Sequence, residues 1–142
     1  MDRFAPPLAL VGRVLGRPPV QVDLHAASSR WTVLVFEPDA DARRLYELAS
    51  VRGNFTAEHA TLLVVCPTPA EWAERDIPVV HDPGNAIRDA FGTSGAATVV
   101  VAPDGLIWYA VSGPAGERHA LEFIAGVRTG AVRPALAIAR AA

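Results

Sequence analysis

The chain carries one cysteine in 142 residues, Cys66, and its setting is the strongest hint of chemistry in the sequence. It stands in Val65-Cys66-Pro67-Thr68, at the end of the apolar run TLLVVC and just before TPAEWAER. In that second segment Thr68 can cap a helix, Pro69 suits the first helical position, and Glu71 completes a capping box. A thiol at the carboxyl end of a buried strand, next to a helix N-terminus, lies where ligands gather in open α/β sheets and where a thiolate is stabilised. A single cysteine makes no intramolecular disulfide and no multi-cysteine metal site. What remains open to Cys66 is redox chemistry or oxidant sensing, with an intermolecular disulfide as one product. The alternative is a buried thiol that serves as a small hydrophobe.

Other groups are less pointed. Glu37, Asp39 and Asp41 could offer carboxylate oxygens to a hard cation, or more simply serve a turn and an N-cap. His81-Asp82 resembles an acid–base pair, but neighbours on a strand point to opposite faces. His25, His59 and His119 are scattered, so no metal and no cofactor is expected. All 13 basic residues are arginine, which excludes Schiff-base chemistry and a lysine-centred phosphate loop.

The elements that must position these groups follow from periodicity. Residues 4–10 and 20–24 read as short extended segments, with Val20, Val22 and Leu24 on one face of VQVDL. WTVLVF (31–36) is a continuous β-branched and apolar run, as in a strand buried on both faces. After Pro38, DARRLYELASVRG predicts a helix with Asp41 as N-cap, Leu45, Leu48 and Ala49 on one face, and Gly53 as its stop. Strands follow at 61–66 and 77–82. DPGNAIRDAFG then predicts a helix capped by Asp82, started by Pro83 and ended by Gly92. AATVVVA (96–102), the turn Pro103-Asp104-Gly105 and LIWYAVSG (106–113) read as a hairpin. ERHALEFIAGV (117–127) closes the chain with Leu121, Ile124 and Val127 on one helix face.

Helical crossovers imply parallel neighbours, and the Pro103–Gly105 turn implies one antiparallel pair. The expected fold is therefore α/β: a thioredoxin-like mixed sheet with helices on both faces. One domain is expected over residues 1–142, with 128–142 as a C-terminal helical tail. The net charge of −2 gives no basis for nucleic-acid binding, and no apolar run approaches a membrane span. Pro6 and Pro7 interrupt the early apolar patch, so no leader is expected and the cytoplasm is the expected location. Trp108 and Tyr109 lie on a strand with two apolar faces. One of them is expected either at a partner surface or beneath the closing helix or the tail.

In order and spacing these segments resemble the peroxiredoxins of the alkyl hydroperoxide reductase and thiol-specific antioxidant (redoxin) type over roughly residues 4–127. FAPPLAL stands for their Ala-Pro-x-Phe-x-Leu, GRPPVQVDL for Gly-x-x-Val-x-Leu, and Phe36-Glu37-Pro38 for the Phe-x-Pro that ends the first central strand. VVHDPGNAIRDAFG and TVVVAPDGLIWYAVSG match the later segments. The resemblance implies a peroxidatic Cys at a helix N-terminus in Pro-x-x-x-Thr-x-x-Cys, assisted by an Arg from a later strand. By position, Pro38 matches, the Thr falls on Ala42, the Cys on Leu45 and the Arg on Ala96. The cis-Pro of the wider thioredoxin group falls on Ala97. Cys66 lies one strand too late to be the family's nucleophile.

The sequence thus reads as a degenerate peroxiredoxin-like domain without the peroxidatic cysteine, a non-catalytic binding or self-association module. It is expected to form a homodimer through an edge strand or the tail. The alternative enzyme reading is a thiol oxidoreductase, antioxidant or redox sensor using Cys66. A third reading places a small molecule in the vacated pocket around Pro38, Ala42, Leu45 and Ala97.

Overall fold

The computed structural model describes residues 3–14, 16–24, 30–38, 42–67, 77–93 and 95–128. Asp39 and Asp41, the helix expected over 68–75 and the tail after residue 128 lie outside the described residues. The elements are β1 (Arg3–Phe4), β2 (Ala9–Gly12), β3 (Val20–Asp23), β4 (Trp31–Phe36), α1 (Ala42–Ala57), β5 (Ala60–Cys66), β6 (Val79–His81), α2 (Ala86–Phe91), β7 (Ala97–Val101), β8 (Leu106–Ser112) and α3 (Gly116–Arg128). Six strands form one mixed sheet in the order β1-β8-β7-β4-β5-β6, and β2 and β3 form a separate hairpin. This is the thioredoxin-like α/β architecture that the alternation of strands and helices predicts.

The central strands are apolar throughout because both of their faces are covered. Val33 and Val35 of β4 join Leu62 and Val64 of β5 in a cluster with Leu45, Leu48 and Phe55 of α1 and Phe123 and Ile124 of α3. Leu34, Phe36, Leu63 and Val65 join the opposite cluster, with Phe91 of α2 and Leu10 and Leu24 of the hairpin.

Three local expectations are corrected. First, β7 follows a helix yet runs antiparallel to β4, with Phe36 opposite Ala97 and Thr32 opposite Val101. The reason is length. The six residues of α2 rise only about 9 Å, too short to carry the chain back along a five- or six-residue strand of about 17–20 Å. Second, α1 does not stop at Gly53. It runs on to Ala57, and Phe55 beyond the glycine is fully buried. Burying that ring outweighs the roughly 1 kcal/mol cost of a helical glycine. Third, Asp82 caps at a distance. Pro83–Asn85 form a 3₁₀ turn, and the Asp82 carboxylate accepts from the N–H groups of Ile87 (3.0 Å) and Arg88 (3.1 Å) at the start of α2. Gly92 ends α2 in the left-handed region, as its position predicts.

A β-bulge decides the fate of the two aromatics on β8. Val100 pairs with Tyr109 but Val101 with Ile107, so Trp108 is the extra residue and alternation is lost. Trp108 and Tyr109 consequently pack on the same face. Tyr109 stacks on Phe123 of α3 at 5.0 Å, and Trp108 meets Trp31 edge-on at 5.1 Å.

Gly116 sets the height of α3 over the sheet. A Cβ there would sit 2.8 Å from Thr98 Cβ and 3.0 Å from Val111 Cγ1. Gly116→Ala is expected to destabilise the fold by about 1–3 kcal/mol through overpacking. Gly53→Ala, where a Cβ meets nothing within 4 Å, is expected to stabilise it by about 0.5–1 kcal/mol. Urea unfolding followed by circular dichroism checks both. Equal effects at the two positions would contradict this account of α3 seating.

Candidate functional site

The parallel strands β4, β5 and β6 end at one edge of the sheet, where chain ends and helix starts converge. The Glu37 N–H continues the ladder by donating to Val65 O at 2.9 Å. This holds Glu37 inward, 8% exposed. Arg44 reaches the same point from the first turns of α1, and Glu117 from the first turn of α3. Arg44 Nε donates to Glu37 Oε1 at 2.6 Å. Its two terminal nitrogens donate to the two oxygens of Glu117 at 2.8 and 2.7 Å. The guanidinium fork thus binds one carboxylate bidentately and a second through Nε, the geometry that makes arginine the strongest carboxylate partner. All three side chains are at most 15% exposed.

These contacts fix the protonation states. Glu117's hydrogen bonds hold the Arg44 guanidinium charged more firmly than usual, against the opposing cost of burial. Burial acts to raise the Glu117 carboxyl, but the hydrogen bonds and charge of Arg44 outweigh it and hold that carboxyl below its ordinary range.

Cys66 ends β5 beside this cluster. It is 1% exposed. Burial first, and then the negative charges of Glu37 and Asp82, push its thiol up to about 12. That direction is the reverse of what a nucleophilic thiolate requires.

The positions that the resemblance assigned to chemistry are placed as follows. Ala42 is the first residue of α1. Leu45 is fully buried in the same apolar cluster as Cys66. Ala97 lies opposite Phe36 in the β4–β7 ladder, and Ala96 accepts at its carbonyl from Gly113 N–H at 2.8 Å. Pro38, Glu37, Cys66, Asp82, Asn85 and Arg88 line a cavity of only about 10 Å³, room for one water at most. Arg88 Nε is buried there without a hydrogen-bond partner among the described residues. His81 is exposed and Asp82 buried, so the two diverge as strand alternation requires. Among the described residues no three His, Cys, Asp or Glu side chains cluster as a metal site, and Arg44 occupies the carboxylate of Glu37.

Sequence reasoning paired neither Arg44 nor Glu117 with Glu37, although a signal was present. Arg44 stands four, seven and eleven residues before Leu48, Val51 and Phe55. Glu117 likewise stands four and seven residues before Leu121 and Ile124. Each charge therefore continues the apolar stripe of its own helix, which places it at the core margin.

The arrangement of the sheet and helices defines a thioredoxin-like α/β protein, and solved structures narrow the form. The chain is similar to the mitochondrial 2-Cys peroxiredoxin of Plasmodium falciparum, with TM-score 0.74 and 13% identity over 92% of this chain and 97% of that one. It is also similar to Mycobacterium tuberculosis AhpC (TM-score 0.69, 14% identity, 96% and 97% covered). The bacterioferritin comigratory protein of Xanthomonas campestris matches at TM-score 0.64 and 20% identity, covering 88% and 92%. No protein-family model and no curated protein matches the sequence. The fold is the peroxiredoxin-like form of the thioredoxin fold.

Removing the guanidinium strands two buried carboxylates. Arg44→Met is expected to cost about 3–5 kcal/mol at pH 7. Because the native Glu117 carboxyl titrates below its ordinary range, the wild type holds this contribution above about pH 4.3 and loses it as pH falls through the native value. The gap between wild type and variant should therefore narrow below about pH 4. A gap that stays constant from pH 7 to pH 3 in urea unfolding would contradict the ion triad. For Cys66, a thiol near 12 is roughly three thousandfold poorer in thiolate at pH 7 than an ordinary one near 8.5. Iodoacetamide should alkylate the native protein more slowly than the urea-unfolded chain by on the order of a thousandfold, as read by mass spectrometry.

Proposed function

We propose that this chain is a peroxiredoxin-fold module that does not turn over peroxide and acts by binding and self-association. The observation that carries this reading is the start of α1. Where the resemblance places the peroxidatic cysteine, Leu45 is fully buried, and the preceding Arg44 is held by two carboxylates. The X. campestris structure concerns alkyl peroxide reduction. That chemistry needs a reachable thiolate, and this chain's one thiol is buried and driven toward its neutral form. The vacated positions Pro38, Ala42, Leu45 and Ala97 are not proposed as a ligand pocket, because Leu45 fills the core there and the adjoining cavity has the volume of one water.

Self-association is proposed through the outer edge of β8. Among the described residues β1 pairs with that edge only at Leu106 and Ile107, and an exposed strand edge is a template for a second copy. The 128–142 tail is proposed as a helical addition to the same single domain. No helix among the described residues is long and apolar enough to cross a membrane, and a cytoplasmic location is proposed.

Two measurements test the reading. Reduced protein is treated with micromolar peroxide and Cys66 oxidation is followed by mass spectrometry beside a Cys66→Ser control. Slow oxidation, no faster than that of a simple thiol, is expected. Rapid oxidation with turnover in the presence of a reductant would overturn the proposal in favour of a Cys66-dependent oxidoreductase. Sedimentation equilibrium should give twice the 15.0 kDa chain mass, and a monomer at all concentrations would remove the self-association half.

A further inference from the structure

The opposite edge of the sheet carries an incomplete ladder. β6 pairs with β5 on its inner side through the carbonyl of Pro78, which accepts from Val64 N–H at 3.0 Å, and through the Asp82 N–H, which donates to Cys66 O at 2.8 Å. In a parallel ladder the intervening residues 79 and 81 then turn their backbone groups outward. Val79 uses them: it exchanges two hydrogen bonds with Arg13 at 2.9 and 3.1 Å, an antiparallel bridge to the hairpin. On β2 the bond from Leu24 N–H to Leu8 O directs the even residues toward β3 and residues 9, 11 and 13 outward. Continuing the bridge by two residues on each strand would pair Val11 with His81. Among the described residues that pair is not formed.

The two edges separate instead. Gly12 brings β2 against β6, since a Cβ there would sit 2.7 Å from Pro78 Cβ. Beyond that contact a cleft of about 340 Å³ opens between Ala9, Leu10 and Val11 on one side and Val80 and His81 on the other, with Ile87 of α2 also lining it. This volume corresponds to on the order of ten waters. Both walls present outward-facing main-chain groups in ladder register. Val11 is 43% exposed despite being apolar. The charge-bearing side chains of the lining, Arg13 and His81, are both exposed and both basic types.

We propose that this cleft takes up an extended, acidic segment of a partner polypeptide as an added strand between β2 and β6. Main-chain bonds to His81 and Val11 would supply affinity, and alternate side chains would supply specificity. Apolar side chains on one face of the segment would lie over Leu10, Val80 and Ile87, and carboxylates on the other would face Arg13 and His81. The site is independent of Cys66 and of the β8 edge, so it can stand or fall apart from the function proposed above.

The probes are two blocked pentapeptides, Val-Glu-Val-Glu-Val and Val-Lys-Val-Lys-Val, titrated into the full ¹⁵N-labelled chain. The Glu peptide is expected to shift and slow the exchange of the Val11 and His81 amides, and the Lys peptide to do so weakly. Arg13→Glu should weaken the Glu peptide by roughly fivefold, the upper range for an exposed ion pair, and raise the response to the Lys peptide. His81→Glu gives the same readout if Arg13→Glu disturbs the fold. Three results would overturn the proposal: no response at millimolar peptide, equal responses to the two peptides, or Val11 and His81 amides already protected in the free protein. The last would mean that β2 and β6 close directly on each other.

Discussion

The arrangement at the carboxyl ends of β4 and β5 depends on one arginine held between two carboxylates. Arg44 ties the end of β4, through Glu37, to the start of α3, through Glu117, which lies 73 residues further along the chain than the arginine itself. An ion cluster this buried is expensive to assemble and stabilises only when geometry and hydrogen bonding are nearly complete. Here the fork geometry meets that condition. It also constrains its surroundings. α3 must come down close enough for Glu117 to reach, which Gly116 permits by lying against Thr98 and Val111. α1 must begin where Arg44 can turn inward while Leu45 enters the core.

The same edge sets the state of the cysteine, through burial first and through charge second. A reactive thiol needs positive potential and access. Cys66 has almost no exposure, and the negative charges of Glu37 and Asp82 lie nearby. Of the two guanidinium groups placed at this edge among the described residues, that of Arg44 is taken up by carboxylates, and Arg88 lines the small cavity beside Cys66. The chain keeps the β-α-β frame of the peroxiredoxin-like fold, and at Cys66 burial and charge both favour the protonated thiol. The relatives in hand share 13–20% identity, a range in which the frame persists and the site need not.

Much of this was legible in the sequence, and what was missed has physical causes. The continuous apolar runs at 31–36 and 61–66 announced strands buried on both faces, and the Asp-Gly turn announced the β7–β8 hairpin. The direction of β7 was not legible, since it depends on how short α2 proves to be. The shared face of Trp108 and Tyr109 was hidden because one extra residue in β8 breaks the period-2 rule. The pairing of Glu37 with Arg44 and Glu117 joins three distant segments, and local periodicity places each charge at a core margin without naming its partner.

The central claim is that Arg44 is locked in a triad at neutral pH, and its own side-chain nitrogens report on that most directly. ¹⁵N spectroscopy of the arginine guanidinium groups at pH 7 should show slow hydrogen exchange at Arg44 Nε and hindered rotation that separates its terminal nitrogens. Arg43, the preceding residue and 89% exposed, should exchange fast and average. Exchange and rotation at Arg44 as free as at Arg43 would contradict the account.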